Sequence, residues 1–401
     1  MDERQNLSVA DYAARAKEYE QAGDAQAAMR SYLIATRLQA LQLNPGDGAA
    51  CFELGLTLGQ TGNDDQARAA FKAALLVRPG HAESWANFGV LSDNSSALRR
   101  AVRVAPNRAD FHTNLAHALL HEGRFAEGFR EWEWRRPSPP RDFSQPRWDG
   151  APYPSKTLLI HAEQGFGDCI QFGRYLPLAA QLGGKLGGKL VVEMRPPLVG
   201  PIARLLDGIA EIVPWGTPLP PFDLHLPLPS LANLFHGQAT PSPYLSADPA
   251  RIEAWRERLD MPGRRKIGLV WACNPGAADQ RRSAPFPLIE KLVRDHPTIA
   301  FFGLQREGNE RCAGMTPLGP QIKDFEDFAA ILASLDLLVS VDTAAAHLAG
   351  ALGRETWVLL REKPDWRWLG DWYPNTRLYR QDKEGDWAGV LARVTEDLNH
   401  P

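Results

Sequence analysis

The sequence predicts a helical-repeat domain followed by an α/β part of two Rossmann-like domains. Three observations predict it. Small and aromatic residues recur at fixed spacing over residues 1–135. A proline-rich segment, 136–154, then interrupts the pattern. From Lys156 onward, short apolar runs alternate with helix-compatible stretches in two successive series, 155–260 and 261–401.

The repeats come first. Gly23, Ala28, Tyr32 and Ala35 are spaced by five, four and three residues, and Gly62, Ala67, Phe71 and Ala74 repeat those spacings. Leu54-Gly55 precedes the second set and Pro79 follows it. This is the pattern of the tetratricopeptide repeat, a helix-turn-helix unit of about 34 residues. Trp85, Phe88 and Gly89 restart it, and early arrival of Ala101 and Pro106 cuts that third unit short. A fourth follows with Leu115, Ala116, Leu119, Gly123, Gly128 and Trp132. Small residues let paired helices approach, while Tyr32 and Phe71 fill the groove between them. Such pairs bury their apolar faces only by stacking. The stack fits a rigid spacer or a concave surface for a partner or acceptor chain, and repeats of this type often self-associate as homo-oligomers.

Pro137, Pro139, Pro140, Pro146, Pro152 and Pro154 cannot continue a helix, and Trp148 argues that the linker is ordered. In the α/β part, strands are expected at 157–161, 190–194 and 211–215, then at 266–271, 298–302, 337–341 and 355–360. Gly165 to Leu182 reads as a loop and a helix, Pro287 to Asp295 and Phe325 to Leu335 as helices, and 386–398 as a closing helix. A proline-rich stretch from Pro214 to Pro249 separates the halves. The tandem Gly-Gly-Lys-Leu of 183–190 reads as a lengthened surface loop, with no Ser or Thr after its lysines to make a P-loop.

Composition narrows the function. The 401 residues are 44% hydrophobic and 23% charged, with a net charge of −3, which gives no reason to expect a nucleic-acid partner. No run of about 18 apolar residues is present to span a membrane. Met-Asp-Glu-Arg-Gln at the start lacks the features of a signal peptide. Cys51, Cys169, Cys273 and Cys312 are scattered, as expected of free thiols in a reducing cytoplasm rather than a metal site.

Three constellations carry chemistry. Leu337 to Val341 is an apolar run that gives way at Asp342-Thr343 to a helix opening with Ala344, Ala345 and Ala346 and closed by Gly353. Thr343 or Asp342 can cap that helix, and small residues in its first turn leave N–H groups open, a ready site for a phosphate or diphosphate. His347 lies one turn on, able to donate to that phosphate or to pack. In Glu163-Gln164-Gly165-Phe166-Gly167-Asp168 the glycines permit close backbone approach, and Asp168 fits either a helix cap or a general base. After the strand at 266–271, Asn274 to Ser283 brings Arg282 and Ser283, suited to phosphate oxygens or to a solvated turn. Asp365, Trp366 and Trp368, with Trp372 and Tyr373, form an aromatic cluster for stacking on a base or sugar, or for packing.

The strings Glu163–Asp168 with Arg174-Tyr-Leu-Pro177, Gly123 to Arg135, Val270-Trp-Ala-Cys-Asn-Pro275, Arg282-Ser283, Asp342 to Ala349 and Pro364 to Trp368 resemble bacterial tetratricopeptide-repeat glycosyltransferases related to the lipopolysaccharide heptosyltransferase family. The resemblance covers nearly the whole chain. It implies a GT-B fold, no cofactor and usually no metal. It implies Asp168 as the catalytic residue and Arg282, Ser283, Asp342, Thr343, Ala344 and His347 around the donor. Glu163, Gln164, Gly165, Gly167, Asn274, Gln305, Asp365 and Trp366 are the further substrate-binding candidates. The chain departs from the family in the loop 276–280 and in the short Leu369-Gly-Asp371 before Trp372. The expected function is transfer of a sugar from a nucleotide-sugar donor, with inversion in the family's manner, to a hydroxyl of a protein or glycan held by the repeats. The alternative is a repeat-based scaffold with a degenerate transferase part.

Overall fold

A left-handed residue closes the turn inside each helix pair of the N-terminal unit, which spans Met1–Arg136. The pairs are α1 (Val9–Gln21) with α2 (Ala25–Leu43), α3 (Gly48–Gln60) with α4 (Asp64–Val77), α5 (Ala82–Leu91) with α6 (Ser95–Val104), and α7 (Ala109–His121) with α8 (Phe125–Trp132). Gly23, Gly62 and Gly123 take φ of 78°, 74° and 74° at these turns, and Asp93 takes 46°. Glycine meets no Cβ clash there, and Asp tolerates the region better than most residues. Each close approach pairs a glycine with a large side chain. A Cβ on Gly55 would lie 2.6 Å from the Phe71 ring, one on Gly89 2.7 Å from Leu98, and one on Gly128 2.7 Å from Leu120. The third pair is short, as its early Ala101 and Pro106 predict, with two helices of 10 residues.

The computed structural model describes residues 7–137, 140–276, 279–308 and 310–399. Pro139 of the linker, and Ala277 and Ala278 of the departing loop, lie outside the described residues. Among the described residues no helix is long and apolar enough to cross a membrane.

The second unit, Pro137–Pro401, holds two parallel sheets. The first contains β1 (Thr157–His161), β2 (Lys189–Met194), β3 (Ala210–Pro214) and β4 (Leu224–Pro227), in the order β3-β2-β1-β4. Its helices are α9 (Phe166–Gly173), α10 (Leu176–Gly184), α11 (Val199–Leu205) and the short α12 (Leu231–Leu234). Helix α13 (Pro249–Arg258) follows. The second sheet contains β5 (Lys266–Val270), β6 (Ala300–Gly303), β7 (Met315–Pro317), β8 (Leu337–Val341), β9 (Thr356–Leu360) and β10 (Thr376–Arg380), ordered β10-β9-β8-β5-β6-β7. Its helices are α14 (Phe286–Asp295), α15 (Phe325–Ser334), α16 (Ala344–Ala351) and α17 (Trp387–Asn399). Counted within its own half, this is the strand order of dinucleotide-binding sheets. The two halves are the Rossmann-like pair expected of a GT-B fold.

Central strands such as β8 are buried along their whole length, which is why they read as unbroken apolar runs. Three strands do not read as apolar runs. β4 lies inside the proline-rich stretch, β7 has 3 residues, and β10 exposes most of its side chains at the sheet edge. The last strand is therefore β10, not the run ending at Leu360. The single helix expected up to Leu182 is two, because Pro177, lacking an N–H, fits only the first turn of a new helix. Helix α13 packs on α15 through Arg251, which pairs with Asp324 and Asp327 at 2.9 Å each.

Residues before β1 dock onto the first sheet. Trp148 N donates to His225 O at 2.8 Å, and Tyr153 Oη donates to Ala179 O at 3.0 Å. The duplicated glycines serve this docking, since a Cβ on Gly183 or Gly188 would strike Tyr153 at 2.1 Å or 2.5 Å.

Candidate functional site

In the second sheet the chain leaves β5 toward β6 on one side, and β8 toward β9 on the other. The crevice between the carboxyl ends of β5 and β8 is the topological switch point, where open α/β sheets bind ligands. Asp342 follows β8 there, and Thr343, with φ −148° and ψ 171°, is the N-cap of α16. Contrary to the expected cap, the Thr343 side chain makes no hydrogen bond to its helix; its Oγ1 lies 3.2 Å from Ser340 Oγ instead. The first-turn N–H groups of α16 thus receive nothing from the cap side chain, and the positive end of the helix faces the crevice. Thr343 and Ala344 are half-buried, so the end is bordered without being plugged.

Arg282 arrives from the loop after β5. Its Nη1 lies 3.3 Å from both the carbonyl and the carboxylate of Asp342. Burial, with nearby Asp365, pushes the Asp342 carboxyl up, against the pull of Trp368 and Arg282. Ser283 Oγ accepts from Cys273 N at 3.1 Å, which shapes this loop.

The first half supplies the opposite wall. Asp168 is the third residue of α9, and its Oδ2 accepts from Gly165 N at 3.2 Å, which ties the carboxylate to that helix start. Its Oδ1 accepts from Arg367 Nη2 at 2.6 Å and Nε at 3.0 Å. Arg367 also donates to Asp365 Oδ1 at 2.8 Å and lies 4.5 Å from the centre of the Trp366 ring. Gly167 brings α9 against α16: a Cβ there would be 3.0 Å from His347 Cδ2 and 3.8 Å from Ala344 Cα. The starts of the two helices therefore meet, with Asp168 beside them.

His347 is buried, stacked 4.5 Å from Trp368, with Nδ1 3.1 Å from Tyr373 Oη. Burial, helped by Arg367 and Arg174, pushes its pKa down to about 3, so the ring is neutral at physiological pH.

The structure thus brings together Gly167, Asp168, Arg282, Asp342, Thr343, Ala344 and His347, with Asp365 joined through Arg367. Others are committed elsewhere. Gln305 Oε1 accepts from Ala272 N at 3.1 Å, and Asn274 Nδ2 donates to Glu307 at 3.1 Å. Glu163 is buried and accepts from Gln164 Nε2 at 3.0 Å. Gln164 takes φ 68°, a left-handed backbone with its carbonyl held by Arg195. Trp366, expected as a stacking face for a base or sugar, is 0% exposed and covered by Arg367, so packing wins at that position. Sequence reasoning missed Arg367, and named Tyr373 only as part of the aromatic cluster. The one local trace of Arg367 is its place between two tryptophans and two residues after an aspartate.

The tetratricopeptide repeat family matches residues 48–81, so the N-terminal unit carries that repeat. Over its length the chain is similar to Protein FlbA of Caulobacter vibrioides, 27% identical across 90% of this chain and 68% of that protein. Among solved structures it is similar to the ADP-heptose LPS heptosyltransferase II of E. coli, 13% identical over 61% of this chain and 98% of that one, with a TM-score of 0.44. It is also similar to the O-GlcNAc transferase of Thermobaculum terrenum, 15% identical over 100% of this chain and 94% of that one, with a TM-score of 0.28.

Proposed function

We propose that this chain is a metal-independent, inverting glycosyltransferase that moves a sugar from a nucleotide-sugar to an acceptor hydroxyl. One observation carries the reading. An uncapped helix start at the switch point of a nucleotide-type sheet has Arg282 beside it and the carboxylate of Asp168 across the crevice. The N–H groups of α16 and the Arg282 guanidinium would stabilise the leaving nucleoside diphosphate. The Arg282 contacts to Asp342, at 3.3 Å, exceed the ~2.7–2.9 Å of firm charge-assisted bonds, so Arg282 can exchange Asp342 for a phosphate oxygen. Asp168 Oδ2, with one long hydrogen bond from Gly165 N, retains lone-pair capacity to take the acceptor proton as its oxygen attacks the anomeric carbon. The repeats would recruit the acceptor, a protein or glycan, in the cytoplasm where such donors and free thiols coexist.

Titration calorimetry of ADP, GDP, UDP and CDP tests this. At least one should bind, and Arg282→Ala should weaken it about tenfold or more. Silence from all four ends the proposal. A scaffold reading draws on one feature: Asp168 Oδ1 is already claimed by Arg367. That reading predicts no nucleotide binding in the same titration.

A further inference from the structure

The loop after β5 holds an ion pair that the proposed transfer leaves unused. A 3-10 turn in that loop, Gln280–Arg282, is capped by Asp279. Asp279 Oδ1 accepts from Arg281 N at 3.2 Å and from Arg281 Nε at 2.9 Å. Its Oδ2 accepts from Nη1 of Arg361. Arg361 is the first residue after β9, and its side chain has no other partner among the described residues. Arg281, then Arg361, hold the Asp279 carboxyl below the ordinary carboxylate value against the effect of burial, so the pair stays charged at neutral pH.

Strand order gives that pair its meaning. β8 lies between β5 and β9, and all three run parallel. A loop that leaves the end of β5 and reaches the end of β9 crosses the end of β8, just before α16 begins. Arg281 Nη1 carries the crossing on to Glu384, past β10, at 2.9 Å. That outer pair is about 60% exposed on both sides and holds little. Asp279 and Arg361, 31% and 20% exposed, form the firmer tie. Arg282 ends the tied turn. Its Nε donates to Asp279 O at 3.3 Å, its Nη1 reaches Asp342, and its Nη2 has no partner among the described residues. A guanidinium on an ordered loop loses less freedom when it takes an anion. Asp279 and Gln280 both lie in 276–280, the stretch that sets this chain apart in sequence. Gln280 Nε2 donates to Asn274 O at 2.9 Å and Pro275 O at 3.0 Å, folding the loop back on itself.

We infer that Asp279 and Arg361 are positioning residues, whose pair ties the loop across the end of β8 and so aims Arg282 into the crevice. The aim rests on the nucleotide-sugar reading for its ligand; the tie itself does not.

Full-length chain carrying Arg361→Gln or Arg361→Lys tests both parts. Arg361 meets Asp279 through one nitrogen, so a lysine can replace it, while a neutral glutamine leaves the carboxylate without its charge partner. Hydrogen exchange read by mass spectrometry comes first. Amides of 281–284 should exchange about threefold faster or more in Arg361→Gln, with β8 unchanged, and Arg361→Lys should restore most of the protection. Unchanged exchange at 281–284 in Arg361→Gln overturns the tie. Faster exchange throughout the second unit overturns it as well, as a loss of fold rather than of a tie. Calorimetric titration with ADP, GDP, UDP and CDP follows. Whichever binds should be held about threefold more weakly or worse by Arg361→Gln, and nearly as in the parent by Arg361→Lys. In an Arg282→Ala background Arg361→Gln should weaken it no further, because the effect runs through Arg282. Equal weakening in both backgrounds, or none in either, overturns the aiming role and leaves the transferase reading standing. Silence from all four nucleotides overturns that role and the reading together.

Discussion

Two strand-to-helix junctions face each other in the second unit, built alike and finished differently. After β1, α9 begins with Asp168 folded back onto Gly165 N–H. After β8, α16 begins with a Thr343 that gives its helix no side-chain bond. A carboxylate tied to the N-cap amide of its own helix is held in a defined place. A helix start left open offers its N–H groups to an anion. The same architecture thus yields a site for a base on one side and for a leaving phosphate on the other.

The comparison breaks most visibly at Asp168. If it is the base, Asp168→Ala should lower turnover by ~10²–10⁴ while nucleotide affinity holds. Turnover equal to the parent enzyme removes Asp168 from that role. Arg367→Ala strips the guanidinium from Asp168 and Asp365 across the junction, and should cost about 3 kcal/mol in urea unfolding. Superimposable unfolding curves would show that the bridge holds nothing together.

A pH series sharpens the α16 side. The folded pKa of His347, about 3, lies below the unfolded value of roughly 6.5. Its contribution to stability is therefore complete above pH 6.5 or so, and is lost as pH falls toward 3. Between pH 7 and pH 5 the loss should be about 2 kcal/mol, read as the difference between the parent and His347→Gln at each pH. Asp342, whose carboxyl is raised, acts in the opposite sense and cancels in that difference. Equal slopes in both proteins would place His347 in water. The smallest effect should be Thr343→Ala, below about 0.5 kcal/mol, because no cap bond is lost. Asp248→Ala, which removes a carboxylate accepting from Ala250 and Arg251 N–H groups at the start of α13, should cost about 1 kcal/mol. Equal costs at the two positions would mean that the α16 end is closed after all.

Local pattern carried much of this molecule. The helix pairs could be read because each needs small residues at contact and a left-handed residue at its turn, and both requirements fall within one repeat length. Buried strands could be read because burial on both faces demands unbroken apolar runs. The strands β4, β7 and β10 could not, being short, interrupted by proline or half-exposed at an edge. At the site, Asp342 to His347 could be read because strand, cap and helix start are adjacent in sequence.

Other parts rest on pairings that no window of sequence contains. Asp168 and Arg367 lie 199 positions apart, and neither residue type in its own segment announces the other. Gly167 reads as room for a ligand to approach until α16 is seen against it. Trp366 reads as a stacking platform until its burial is known. The sequence by itself determined the helix pairs, the buried strands and the place where α16 starts, because backbone preference and periodic burial are local; that Thr343, expected to cap α16, gives its helix no side-chain bond was decided by the fold. The tertiary structure alone decided which side chains meet across the crevice, because a charge or a ring acquires its role from the partner that folding brings to it.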